Sequence, residues 1–250
     1  MKKLSTFIGV MIIVGIVGCY FAWPNTNLEK PIVMSVQMDE ASKTLSVSYI
    51  VDKNDNTYVM EIGHNTKGFY PPRTSGYWDG ITNYTNVLAA QNGYELREDV
   101  VELNEGQLYY FLSLKGTVLD ADISFENYSP IKAVLILLKK DERANAIKHN
   151  ETLHYSFTAQ KDMTLNTIRH YHNISSISTQ KDGEDSEFPL TLRKGNSVDI
   201  IIHNPYIINS KDKLLLEFIT KNNQRISKNI LMTESIPKGY LKKVVEEYNQ

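Results

Sequence analysis

The chain has a single cysteine, Cys19, among its 250 residues. One thiol allows neither an internal disulfide nor a thiolate metal cluster. Stability must therefore come from core burial, and the roughly 225 residues after the first two dozen can bury one large core or two smaller ones. No charge of one sign prevails: 27 Lys and Arg stand against 29 Asp and Glu, a formal net charge of -2. A nucleic-acid partner, which would need a basic stripe or domain, is not expected. Also missing are a phosphate loop of the G-x-x-x-x-G-K-S/T type, a G-x-S-x-G nucleophile turn, an H-E-x-x-H zinc helix and a Rossmann glycine pattern. These absences weaken a catalytic reading, and no cofactor is expected.

Long hydrophobic runs are confined to the N-terminus. Met1-Lys2-Lys3 precedes an uncharged apolar stretch from Leu4 to Trp23 that stops at Pro24-Asn25. A short basic end before such a stretch is an export signal, and the positive-inside preference keeps the lysines in the cytoplasm. Thr6 to Trp23 has about the ~18 to 20 residues a helix needs to cross the hydrocarbon, so residues 1–24 suffice as an uncleaved anchor. Within them, Ile16-Val17-Gly18-Cys19 resembles the bacterial lipobox, a resemblance that implies lipidation of Cys19 and cleavage before it. Tyr20-Phe21-Ala22-Trp23 departs from that pattern by staying apolar, and Trp23 suits a membrane interface. The uncleaved anchor is preferred. Both readings place the protein at the cell membrane with the bulk of the chain on the extracytoplasmic side.

Beyond the anchor, period-two alternation dominates. Ile32, Met34, Val36 and Met38; Leu45, Val47, Tyr49 and Val51; Tyr58, Met60 and Ile62; and Leu108, Tyr110, Leu112 and Leu114 each predict a strand with one buried face. Ile131 to Leu138 reads as a central strand covered on both faces. Asn92-Gly93, Asn104-Glu105-Gly106, Lys115-Gly116 and Asp182-Gly183 supply turn chemistry. Short strands at roughly ten-residue spacing predict a sandwich or barrel. The expected class is all-β: antiparallel immunoglobulin-like β-sandwich lobes over 31–140 and 150–233, the adjective describing architecture only. Arg143-Ala144-Asn145-Ala146 could instead be a short helical crossover inside one larger sandwich.

Residues 236–250 predict a C-terminal amphipathic helix. Tyr240, Leu241, Val244, Val245 and Tyr248 form one apolar stripe opposite Lys242, Lys243, Glu246 and Glu247. Ser235 suits the N-cap and Pro237 the first turn. The stripe is expected to pack on its own sandwich, a docking helix for a membrane partner being the alternative.

Three constellations could carry chemistry. On a strand His170 and His172 face the same way and could share a metal ion, with His149 or His154 as a third ligand. His64 and His203 have no visible partner. Asp52-Lys53-Asn54-Asp55-Asn56 begins like a calcium loop but has Thr57 and Gly63 where glycine and glutamate are required, so a hairpin turn is expected. Asp120, Asp122 and Glu126 read as a solvated strand edge. The segment from Phe69 to Asp79, with Pro71 and Pro72, gathers Tyr70, Arg73, Tyr77 and Trp78; such rings and an arginine concentrate interface energy. The alternative is that these rings cap the first sandwich as a satellite core. The resulting expectation is a non-catalytic, membrane-tethered binding or assembly protein of a bacterial cell envelope, contacting an envelope protein or wall polymer. An envelope hydrolase or metal-dependent enzyme using His149, His154, His170 and His172 is the alternative.

Overall fold

The computed structural model describes residues 28–76, 80–83, 85–149, 152–170, 176–203, 213–231 and 236–249. The anchor segment, Cys19 included, lies outside them, and among the described residues no helix is long and apolar enough to cross a membrane. The protein is mostly β. Its first half contains β1 (Ile32–Asp39), β2 (Thr44–Asp52), β3 (Val59–His64), β4 (Lys67–Phe69), β5 (Arg73–Gly76), β6 (Gly80–Asn83), β7 (Asn86–Gln91), β8 (Tyr94–Glu102), helix α1 (Glu105–Ser113), β9 (Val118–Phe125) and β10 (Ile131–Leu138). A 3-10 turn at Lys140–Glu142 leads into β11 (Arg143–Ala144), β12 (Ile147–His149), β13 (Thr152–Thr158), β14 (Met163–His170), β15 (Ser176–Lys181), β16 (Glu184–Ser186), β17 (Leu190–Leu192), β18 (Ser197–His203), β19 (Lys213–Thr220), β20 (Arg225–Leu231) and helix α2 (Tyr240–Tyr248).

The first lobe is one eight-stranded sheet, ordered β4-β3-β9-β10-β1-β2-β8-β7. A flat sheet would hold β3 and β8, five steps apart, at about 24 Å, given ~4.8 Å per step. Instead Asp99 of β8 accepts a hydrogen bond from the Val59 amide of β3 at 2.9 Å, and Arg97 donates to the Thr57 carbonyl at 3.1 Å. The sheet is therefore curled until its two sides meet across a core of Val36, Val47, Ile62, Ile123 and Leu135, capped by Leu108 and Phe111 of α1. Among the described residues, side chains rather than a ladder seal the seam. The Asp99 carboxylate is buried and also accepts from the Tyr49 hydroxyl (2.9 Å) and the Thr85 hydroxyl (2.6 Å). Three donors on one carboxylate offset the desolvation of its charge. Burial first, and the Asp99 charge second, push the Tyr49 phenol far above its ordinary range.

The second lobe is a β-sandwich of two five-stranded sheets, β11-β20-β19-β14-β17 and β12-β13-β18-β15-β16. Leu153, Tyr155, Phe157 and Ile200 from one sheet meet Leu165, Leu192, Leu216 and Phe218 from the other. The lobes touch through a small apolar cluster of Ile136, Leu138 and Leu215. Beside it the fully buried Glu217 accepts from the Thr117 hydroxyl, and the Asn229 amide donates to the Lys139 carbonyl at 2.8 Å. Strand β10 is thus buried on both faces only over its second half, Leu135 to Leu138, where the curled core lies on one side and the second lobe on the other.

Several expectations are corrected. Leu108 to Ser113 belongs to α1, with Leu114 as its C-cap, and not to a strand: Asn104 and Gln107 form a reciprocal capping box, and Leu108 and Phe111, three apart, form the buried face. The sheets are not wholly antiparallel, since β1 runs parallel to β10 and β11 parallel to β20. Arg143 and Ala144 form a short strand rather than a helical crossover. Met60 is 42% exposed because a bulge between Val59 and Glu61 breaks the alternation. A second bulge, between Val33 and Ser35, sends Ile32 and Met34 to the face opposite Val36 and Met38. That face receives α2. Tyr240, Leu241, Val244 and Val245 pack on Ile32, Met34, Ile50, Tyr94 and Leu96, so the C-terminal helix covers the first lobe rather than the second. Gly239, at φ +83, is its N-cap; Pro237 lies one turn earlier, and Ser235 lies outside the described residues. Gln91 clamps this entry, donating to the Pro237 carbonyl and accepting from the Gly239 amide, both at 3.0 Å.

Candidate functional site

The aromatic segment emerges from the β3–β4 side of the curled sheet. After β4 the chain passes Tyr70, Pro71 and Pro72 and forms an antiparallel hairpin in which Arg73 pairs with Asn83 and Gly76 with Gly80. The aromatic segment thus enters a β-ribbon. Tyr77, Trp78 and Asp79, which join its two strands in sequence, lie outside the described residues, as does the side chain of Arg73. Tyr70 is 64% exposed, which excludes it from a satellite core. Its ring borders a cleft of about 590 Å3 together with Met60, Glu61, Pro71 and Ser124. Gly68 makes this packing possible: a Cβ there would collide with both the Glu61 carboxylate and the Tyr70 hydroxyl. Met60, Glu61 and Ser124 escaped the sequence reading because the bulge that turns Met60 outward is invisible in the alternation.

The histidines are distributed, not gathered. His154 is on β13, where its Nε2 lies 2.9 Å from the Thr152 hydroxyl, while His170 ends β14 in the opposite sheet, across from Leu216. His149 is on β12, its side chain undescribed, and His172 lies outside the described residues. Among the described residues no three His, Cys, Asp or Glu side chains are placed to share a metal ion. His64 has partners after all. It is buried, its Nδ1 donates to the Asp120 carbonyl at 2.6 Å, and its Nε2 lies 3.0 Å from the Asn65 side-chain amide. His203 Nε2 lies 2.9 Å from the Ser178 hydroxyl.

The carboxylates serve structure. Asp52 accepts from the Leu28 amide, and Asp55 accepts from the Thr57 amide and the Tyr128 hydroxyl, so the turn uses its own oxygens. The Tyr128 phenol is pushed up to about 12, first by its hydrogen bond to Asp55 and then by burial. Asp122 pairs with Lys132 on the exposed sheet face, and Glu126 accepts from Tyr58.

No protein-family model matches the sequence, and no curated protein matches it. Similar solved structures include the Bacteroides ovatus mixed-linkage glucan utilization locus protein SGBP-B in complex with a mixed-linkage heptasaccharide, at 9% identity, 80% of this chain, 43% of that chain and a TM-score of 0.22. This chain therefore spans less than half of that one. The Pseudomonas aeruginosa CupB2 chaperone is similar at 8% identity over 80% of this chain and 100% of that one, TM-score 0.20. The Ig1-2 module of the Drosophila receptor protein tyrosine phosphatase DLAR is similar at 12% identity over 82% and 98%, TM-score 0.22. Superpositions this loose carry no functional argument.

Proposed function

We propose that the chain is a non-catalytic binding protein of a bacterial cell envelope, tethered to the membrane by residues 1–24 and folded as two β-lobes on the extracytoplasmic side. The observation that carries this reading is the exposed Tyr70 beside Met60 and Pro71, bordering a cleft at the root of the β5–β6 ribbon. Neighbouring exposed apolar side chains stiffened by proline offer contact area at low entropic cost, unlike isolated surface hydrophobics. Tyr70, Arg73, Tyr77 and Trp78 are the proposed contact residues, and an envelope protein or wall polymer the proposed partner.

Pull-down from membranes with the full chain tests the reading. Tyr70→Ala and Trp78→Ala should each weaken capture by ~2 kcal/mol with unchanged unfolding if they are interface anchors. Loss of stability with capture intact would defeat it. Mass spectrometry of the membrane-extracted chain tests the tether separately. An N-terminus at Met1 supports the anchor, whereas a lipidated Cys19 at the N-terminus replaces it with a lipoprotein.

A further inference from the structure

The second lobe leaves part of two strand edges uncovered on the same side. Residues 143–149 cross between its sheets, first along β20 and then along β13, and stop short on each. Strand β11 covers β20 only at Asn229 and Ile230, and β12 covers β13 only from Thr152 to His154. Among the described residues, Tyr155 to Thr158 and Arg225 to Lys228 have no strand on that side. Each stretch is about 13 Å long at ~3.3 Å per residue.

The backbone groups there point outward. The Ala159 amide donates to the Asn196 carbonyl of the adjoining turn at 2.9 Å. Since an antiparallel strand turns its groups toward one neighbour at every second residue, Phe157 and Tyr155 face β18, while Thr158 and Ser156 face the uncovered side. By the same count, the bond from the Thr220 amide to the Gln224 carbonyl aligns Ile226 and Lys228 with β19 and leaves Arg225 and Ser227 facing outward.

Both edges border one cleft of about 440 Å3, with Tyr155, Phe157, Met163 and Ile226 as its apolar lining and Lys161 and Lys228 as its charges. No carboxylate lines it among the described residues. At one end Lys161 donates to the Gln224 side chain at 3.2 Å, and Lys228 stands opposite the inward Leu216. An inward lysine beside a strand edge disfavours uncharged or basic strands.

We infer that this cleft is a strand-acceptor site for an extended peptide in which apolar residues alternate with acidic ones. The peptide backbone pairs with the outward groups of β13 or β20, its apolar side chains cover Tyr155, Phe157 and Ile226, and its carboxylates meet Lys161 and Lys228. Main-chain bonds supply affinity and the alternation supplies selectivity, as in other strand additions. A second copy docking through the same edges would set lysines against lysines, so charge favours the acidic peptide.

The test uses the full chain in detergent micelles and a capped nonapeptide alternating valine with glutamate. Controls are the same residues with the valines grouped and the alternating lysine version. Binding of the alternating acidic peptide should slow amide hydrogen exchange at Ser156 and Thr158, or at Arg225 and Ser227. The K161E/K228E variant should weaken that binding about tenfold or more and favour the lysine peptide, since opposed like charges are strongly disfavoured. Ser156→Pro and Ser227→Pro remove an outward donor from each edge; should either fail to fold, the charge-reversed variant decides. Unchanged exchange at all four amides, equal binding of the grouped peptide, or protection that rises only with chain concentration, as for a second copy, would each overturn the inference.

Discussion

The two lobes treat their strand edges in opposite ways. In the first, a single curled sheet brings β3 and β8 together and seals the junction with Asp99, Arg97 and Tyr49. In the second, two sheets stack face to face, and the segment that bridges them covers less than half of each strand edge it follows. The first arrangement spends buried polar groups on closure and makes the lobe depend on them. The second holds its sheets together through an apolar core and leaves backbone groups available at the edges, so the lobe can lose an edge contact at little cost. Closure by side chains is stiff and specific, and an incomplete ladder is a place where another strand fits.

The largest expected effect breaks the seam. Asp99→Ala removes the acceptor of the Tyr49 and Thr85 hydroxyls and the Val59 amide, leaving buried donors unpaired. At 1–3 kcal/mol per orphaned group, the loss should reach about 4 kcal/mol, read as a shift of the denaturant midpoint. An effect under about 1 kcal/mol would mean that the curl does not rest on this carboxylate.

Next is Leu241→Ala. Leu241 is fully buried in the cluster that joins α2 to the first sheet. The substitution should cost about 3 kcal/mol, and its unfolding should be reported by groups of the first lobe although the residue lies nine positions before Gln250. Destabilisation confined to the second lobe would contradict the docking.

Tyr49→Phe should cost about 1 kcal/mol by removing one hydroxyl of the seam. Alkaline titration extends the comparison. Burial pushes the Tyr155 phenol up to about 12, and the Tyr49 phenol is pushed higher still by burial and Asp99. Raised phenol values mean that the folded state holds the proton more tightly than the unfolded one. Their contribution to stability is complete below the unfolded value of ~10 and is lost as pH rises from there through about 12. Ultraviolet absorbance should show Tyr155 ionising in the folded chain and Tyr49 only on unfolding.

The smallest effects belong to the open regions. Ser156→Pro should change stability by about 1 kcal/mol or less, because its amide faces away from β18. Gly68→Ala should do likewise while displacing Tyr70 and weakening partner capture.

Much of this architecture was legible in the chain. Asn92-Gly93 and Asp182-Gly183 both adopt positive φ as hairpin turns, and the buried stripe of α2 is the one its spacing implied except at Tyr248, which is 49% exposed. What failed had physical causes. Leu108 to Leu114 satisfies a period of two and a helical period alike, and only the Asn104/Gln107 capping box separates them. Nothing local in the run Glu95-Leu96-Arg97-Glu98-Asp99 announces that Arg97 and Asp99 are buried, because it is the curl, a tertiary property, that brings them to the seam. The prolines and aromatic neighbours single out Tyr70 as a candidate, but the cleft beside it depends on the bulge at Met60. The opening in the second lobe depends on how far β11 and β12 extend along β20 and β13, which no local pattern encodes.

Amide hydrogen exchange of the full chain without any peptide tests the contrast most directly. Val59, whose amide is held by the buried Asp99 carboxylate, should be protected to near the global unfolding limit, whereas Ser156, Thr158 and Ser227 should exchange with little protection. Equal protection at all four amides would contradict the account, because the second lobe would then be as closed as the first.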